Sequence, residues 1–128
     1  MLFRSEVTSA VRAVVPADRA LFVRLSCTDW IDGGWDLEQS VSLVRELQAR
    51  GVDLLDASSG GLSTAQQIPL SPGYQVPFAR TIAQETGIAT SAVGLITTGE
   101  QAEEILADGT VEAVMIGRAT LRSEEHTS

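Results

Sequence analysis

The sequence predicts an α/β fold of four parallel strands with intervening helices, arranged as half of an eight-stranded β/α barrel. Three observations predict it. Short aliphatic and β-branched runs alternate with helical periodicities along the 128 residues. The connections between those runs are too long for hairpins and long enough for parallel crossovers. The strands recur about every 30 residues, the repeat of a β/α barrel. An open doubly wound sheet is the competing architecture. No GxGxxG follows the first strand, whose turn reads Ser26-Cys27-Thr28-Asp29-Trp30, so the dinucleotide fingerprint of that alternative is missing.

The elements follow from local signals. Val7, Ala10, Val11 and Val14 recur at helical spacing over Val7–Val15, and Pro16 stops the pattern. Leu21–Ser26 alternates as a strand, with Leu21, Val23 and Leu25 on one face and Phe22, Arg24 and Ser26 on the other. A loop rich in Asp, Gly and Trp covers Cys27–Asp36. The helix Leu37–Arg50 carries Val41, Val44, Leu47 and Ala49 and stops at Gly51. The second strand is Asp53–Ser58, followed by a long Gly/Ser/Pro loop over Ser59–Gly73. A helix over Val76–Thr86 closes at Gly87, and the third strand, Ile88–Val93, ends in Gly94. Thr98 with Gln101 three residues on reads as a capping box for a helix to Ala107. The fourth strand, Val111–Ile116, ends in Gly117-Arg118.

Composition narrows the function. A formal charge of −8 with no basic cluster argues against nucleic acid or an anionic membrane as partner. No apolar run approaches the roughly 18 residues of a membrane-spanning helix. The first residues lack the apolar core of a secretory signal. Cys27 is the single cysteine, which leaves no internal disulfide and no cysteine metal cluster. A cytoplasmic protein is expected.

Two strand ends carry anion chemistry. Val93-Gly94 exposes backbone N–H groups ahead of a helix N-terminus, and Gly117-Arg118 adds close backbone approach and a guanidinium. Either alone is a weak signal; at the ends of consecutive strands they indicate a phosphate site. Arg24, on an otherwise apolar strand, either answers a buried carboxylate, Asp56 on the next strand, or faces a ligand. Asp29 and Trp30 touch a substrate or close their loop, Tyr74 lines a pocket or packs at a helix start, and Cys27 is a small packed residue. The chain has no lysine, which excludes a Schiff-base aldolase among barrel enzymes.

Several blocks together resemble one family. Phe22-Val23-Arg24-Leu25-Ser26, Gly33-Gly34-Trp35, Gly51–Gly60, Pro72–Ala79, Ala92–Thr97 and Gly117-Arg118 are similar in order and spacing to old yellow enzyme, in particular its bacterial ene-reductases and xenobiotic reductases. The resemblance covers roughly residues 5–122. It implies the C-terminal half, strands five to eight, of a (β/α)8 TIM barrel, with residues 1–121 a partial FMN-binding barrel. It further implies that Arg24 lies by the pyrimidine end of the flavin and that Gly94, Gly117 and Arg118 hold the FMN phosphate. By the same resemblance, NAD(P)H is the co-substrate and activated alkenes bearing a carbonyl or nitro group are the small-molecule substrates. The family's carbonyl-binding histidine pair (or His/Asn) and tyrosine acid belong to its N-terminal half. His126 matches neither, so the chain alone is expected to lack turnover and to bind FMN weakly. The alternative is a non-catalytic, flavin- or phosphate-binding half-barrel that self-associates; homo-oligomers are expected of a full-length parent. Residues 122–128 read as a disordered tail, matching the translation of a short-read sequencing adapter (AGATCGGAAGAGCACACGTCT).

Overall fold

The computed structural model describes residues 2–122. The elements run α1 (Leu2–Val14), β1 (Phe22–Ser26), α2 (Leu37–Ala49), β2 (Leu54–Ser58), α3 (Val76–Thr86), β3 (Ala89–Val93), α4 (Gly99–Leu106), β4 (Ala113–Met115) and α5 (Arg118–Leu121). The sheet order is β1-β2-β3-β4 and every neighbouring pair is parallel. Strand order follows chain order without reversal, so the switch point of a doubly wound sheet is missing among the described residues.

Register decides what each face carries. Arg24 stands opposite Asp56 and Asp56 opposite Ser91, so one face holds a polar row across three strands. The residues between them, Leu25, Leu55, Ala57 and Ala92, point the other way and are buried with Leu43, Val44, Leu47, Ala79 and Ile82 of the helices in one core. Strands that read apolar on alternate positions need only one covered face, and the helices supply the cover.

Helix ends follow their local chemistry. Asp36 caps α2 in a complete capping box with Gln39, a pair that sequence reasoning passed over. At α4, Thr98 accepts from the Gln101 N–H, but the Gln101 side chain accepts from Thr97 N instead of Thr98 N, so the expected box is closed one residue early. Gly87 ends α3 in the left-handed region at φ +75°, where only glycine is free of Cβ strain.

Most boundaries agree to within one residue; the larger differences lie at the first helix, the fourth strand and the C-terminal end of the described chain. The first helix starts five residues earlier, at Leu2. Its buried residues are Ser5 and Thr8, whose hydroxyls bond to Leu2 O and Arg4 O, while Phe3, Val7, Val11 and Val14 are exposed. The fourth strand shrinks to Ala113–Met115 because only those residues pair with β3. The short helix α5 was not foreseen; it begins at Arg118, where the sequence suggested only a strand end. The tail reading falls, from residue 123 onward, outside the described residues. No helix among the described residues is long and apolar enough to cross a membrane.

Leu55 is fully buried on the helix-covered face and Phe22 is 56% exposed on the other. Leu55→Ala should therefore cost about 2–5 kcal/mol in urea unfolding, and Phe22→Ala less than about 1 kcal/mol. Equal costs would contradict the burial of one face and the exposure of the other.

Candidate functional site

The C-terminal ends of the strands hold a pocket of about 590 Å³, lined by Val93, Gly94, Leu95 and Thr97 from the β3 end and by Gly117, Arg118 and Arg122 from the β4 end. Gly94 sits at φ +112° and Leu95 at φ +50°, so the chain turns sharply as it leaves β3. A turn of this kind can offer successive backbone N–H groups to an anion. Arg118 and Arg122 are one helical turn apart, both exposed, and neither meets a carboxylate among the described residues. Two guanidiniums without a carboxylate partner among the described residues, beside a turn that carries Gly94, have the chemistry to hold a dianionic phosphate monoester.

Arg24 lies away from this pocket, on the opposite edge strand. Its Nε donates to Asp56 Oδ2 at 2.5 Å, and Ser91 Oγ donates to Asp56 Oδ1 at 2.7 Å. Asp56 is 5% exposed while the Arg24 side chain is 61% exposed. Arg24 thus answers the buried carboxylate through Nε and leaves its terminal nitrogens at the surface of the polar face.

Above the strands, the loops are stitched together. Asp29 closes its own loop: its N–H donates to Trp35 O and its Oδ2 accepts from Trp35 N, each at 2.8 Å. Trp30, at φ +56°, donates from Nε1 to Ser59 Oγ at 2.8 Å and packs its ring near Phe78 and Tyr74. No cluster of three or more His, Cys, Asp or Glu suited to a metal occurs among the described residues.

Comparison with known proteins decides the lineage. The sequence model of the NADH:flavin oxidoreductase / NADH oxidase family matches residues 1–128. The chain belongs to this family. It is 46% identical over 119 residues to an NADPH dehydrogenase of Listeria innocua, covering 93% of this chain and 34% of that protein. It is 48% identical over 121 residues to an NADPH dehydrogenase of Geobacillus thermodenitrificans, covering 94% and 35%. The chain therefore spans about a third of the length of the curated relatives it matches. Among solved structures, two of (S)-mandelate dehydrogenase align over 91% of the chain, covering 28% and 26% of theirs, with TM-scores of 0.63 and 0.62 at 22% and 21% identity. At that identity the likeness is one of fold: the chain is half of a (β/α)8 barrel.

Of the residues singled out from the sequence, Gly94, Gly117 and Arg118 converge on one pocket, and Arg24 does not join them. Sequence reasoning missed Arg122, which it assigned to the tail. The available signal was its spacing of four from Arg118, and that needed the unforeseen α5. It also passed over Gln75 and Ser59, which bond to each other at 2.6 Å beneath the loops.

Cys27 is fully buried, its thiol 3.6 Å from Leu25 O. Burial first, and the Asp56 charge second, push it up to about 12 from an ordinary 9.0, against a lowering hydrogen bond with the Ser58 backbone. The unfolded thiol ionises at lower pH than the folded one. Its contribution is thus complete below pH 9 and falls away as pH rises toward 12, by about 1.4 kcal/mol per unit. Native protein should resist iodoacetamide at pH 8, and Cys27→Ala should flatten the loss of stability to urea above pH 9. Rapid alkylation of the native chain would contradict the buried placement.

Proposed function

We propose that this chain is the phosphate-binding part of an FMN-dependent NAD(P)H oxidoreductase that reduces activated alkenes. The observation that carries the reading is the convergence of Gly94, Gly117, Arg118 and Arg122 on one pocket at the strand ends. Gly94 and Gly117 would let the backbone approach the FMN phosphate, and Arg118 with Arg122 would balance its charge. Arg24, steadied through Nε by Asp56, would offer its terminal nitrogens to the electron-rich edge of the flavin ring. FMN, when bound, supplies hydride transfer from NAD(P)H to the β-carbon of an alkene activated by a carbonyl or nitro group. The two arginines orient the cofactor by its phosphate, and the polar row Arg24–Asp56–Ser91 keeps the facing surface charged and ordered. The alkene-binding and proton-donating groups belong to the portion of the family outside this third, so the 128-residue chain alone would bind FMN weakly and without turnover. The working protein would act in the cytoplasm on small molecules, as a homo-oligomer, without nucleic acid or membrane as partner.

One observation favours a second reading. Phe3, Val7, Val11 and Phe22 are exposed around a groove of about 430 Å³ between α1 and the open edge of β1. An uncovered edge strand beside apolar side chains favours self-association, in which case the chain would be a non-catalytic phosphate-binding module.

The test is size-exclusion chromatography with visible spectroscopy on the purified chain mixed with FMN or with riboflavin, which lacks the phosphate. FMN should co-elute in preference to riboflavin. Arg118→Ala should weaken FMN about tenfold or more and leave riboflavin unchanged. Equal retention of both flavins would sink the phosphate assignment. Cyclohexenone reduction by the chain alone would refute its lack of turnover.

A further inference from the structure

Gln75 occupies the N-cap of α3 yet makes no capping hydrogen bond, although it is 3% exposed. A buried amide that does not cap its helix is committed elsewhere. Its Nε2 donates to Val93 O at 2.8 Å and its Oε1 accepts from Ser59 Oγ at 2.6 Å. The direction of the chain is fixed by chemistry. The Trp30 indole can only donate and the Val93 carbonyl can only accept, so Ser59 Oγ accepts from Trp30 at 2.8 Å and donates its O–H to Gln75 Oε1. That leaves the amide nitrogen facing Val93 O. One relay therefore ties the loop after β1, the end of β2 and the last carbonyl of β3.

The same amide shapes the turn that follows. A Cβ at Gly94 would collide with the Gln75 side chain, so the amide fills the space a larger residue would need. On the far side of the turn, Gln101 Nε2 donates to Leu95 O at 3.0 Å and its Oε1 accepts from Thr97 N at 3.0 Å. Two glutamines thus clamp Val93–Thr97 from both flanks. Among the described residues, the N–H groups of Leu95 and Ile96 between the clamps meet no acceptor.

We propose that Gln75 is a positioning residue for the anion turn: its amide holds Val93-Gly94-Leu95 in the shape that presents backbone N–H groups to phosphate. The inference rests on the phosphate pocket proposed above and deepens it. Gln75 does not touch the anion; it acts through the Val93 carbonyl and the room it denies at Gly94. The turn could otherwise relax, because Gly94 is free to adopt many conformations.

The experiment titrates inorganic phosphate into the 15N-labelled 128-residue chain and follows the backbone amide signals of Leu95 and Ile96. Native protein should show saturating shifts. Gln75→Leu should weaken them roughly tenfold while its melting temperature and the remaining amide signals stay close to native. If Gln75→Leu does not fold, Ser59→Ala decides, since it keeps Gln75 and removes only the partner of Oε1; it should weaken the shifts in the same direction. Equal titration of native and variant proteins would overturn the proposal, as would no response in any of them. The flavin reading fails separately. Phosphate shifts that depend on Gln75, with no preference for FMN over riboflavin, would sink that reading and leave Gln75 in its role. A preference for FMN that survives in Gln75→Leu would do the reverse.

Discussion

A carboxylate buried in the middle of a sheet needs donors on both sides, and Asp56 has them in Arg24 Nε and Ser91 Oγ. These three residues stand directly opposite one another on β1, β2 and β3, so the pairing of the strands and the pairing of the charges are the same fact. A slip of one residue would set Arg24 against an aliphatic neighbour and turn Leu55 and Ala57 out of the core. Removing one partner would leave a buried charge unanswered, which is far more costly than the pair is stabilising. The helix-covered core and the polar opposite face follow from this single register.

The strand ends add a second layer that does not depend on charge. Trp30, Ser59 and Gln75 link three successive loops through directional hydrogen bonds, and the link finishes at the carbonyl beside Gly94. The pocket lined by Gly94, Gly117, Arg118 and Arg122 lies at the β3 and β4 ends, while Arg24 stands on the opposite edge strand. In the reading proposed above, this division would set the phosphate of FMN at one end and its ring at the other. The apolar side of α1 has a different meaning. Its buried residues are hydroxylated and its valines face out beside an open strand edge.

The sequence by itself determined the strand and helix alternation, the parallel connections and three of the residues that line the pocket at the β3 and β4 ends. Each of these is local: alternation of period two, a glycine at a strand end, an arginine beside it. The Arg24–Asp56 pairing was also within reach, since both residues sit at the same depth in neighbouring strands. Only the tertiary structure decided that Arg24 both answers Asp56 and keeps its terminal nitrogens at the surface, because exposure depends on what covers the face. It alone decided that Arg122 joins the pocket, through a four-residue helix too short to leave a periodic signal. It alone brought Gln75, 16 residues beyond Ser59 and 18 before Val93, to the point where both can be bonded. Periodicity records which way a side chain points along its own element; it holds no record of which distant backbone carbonyl will be waiting there.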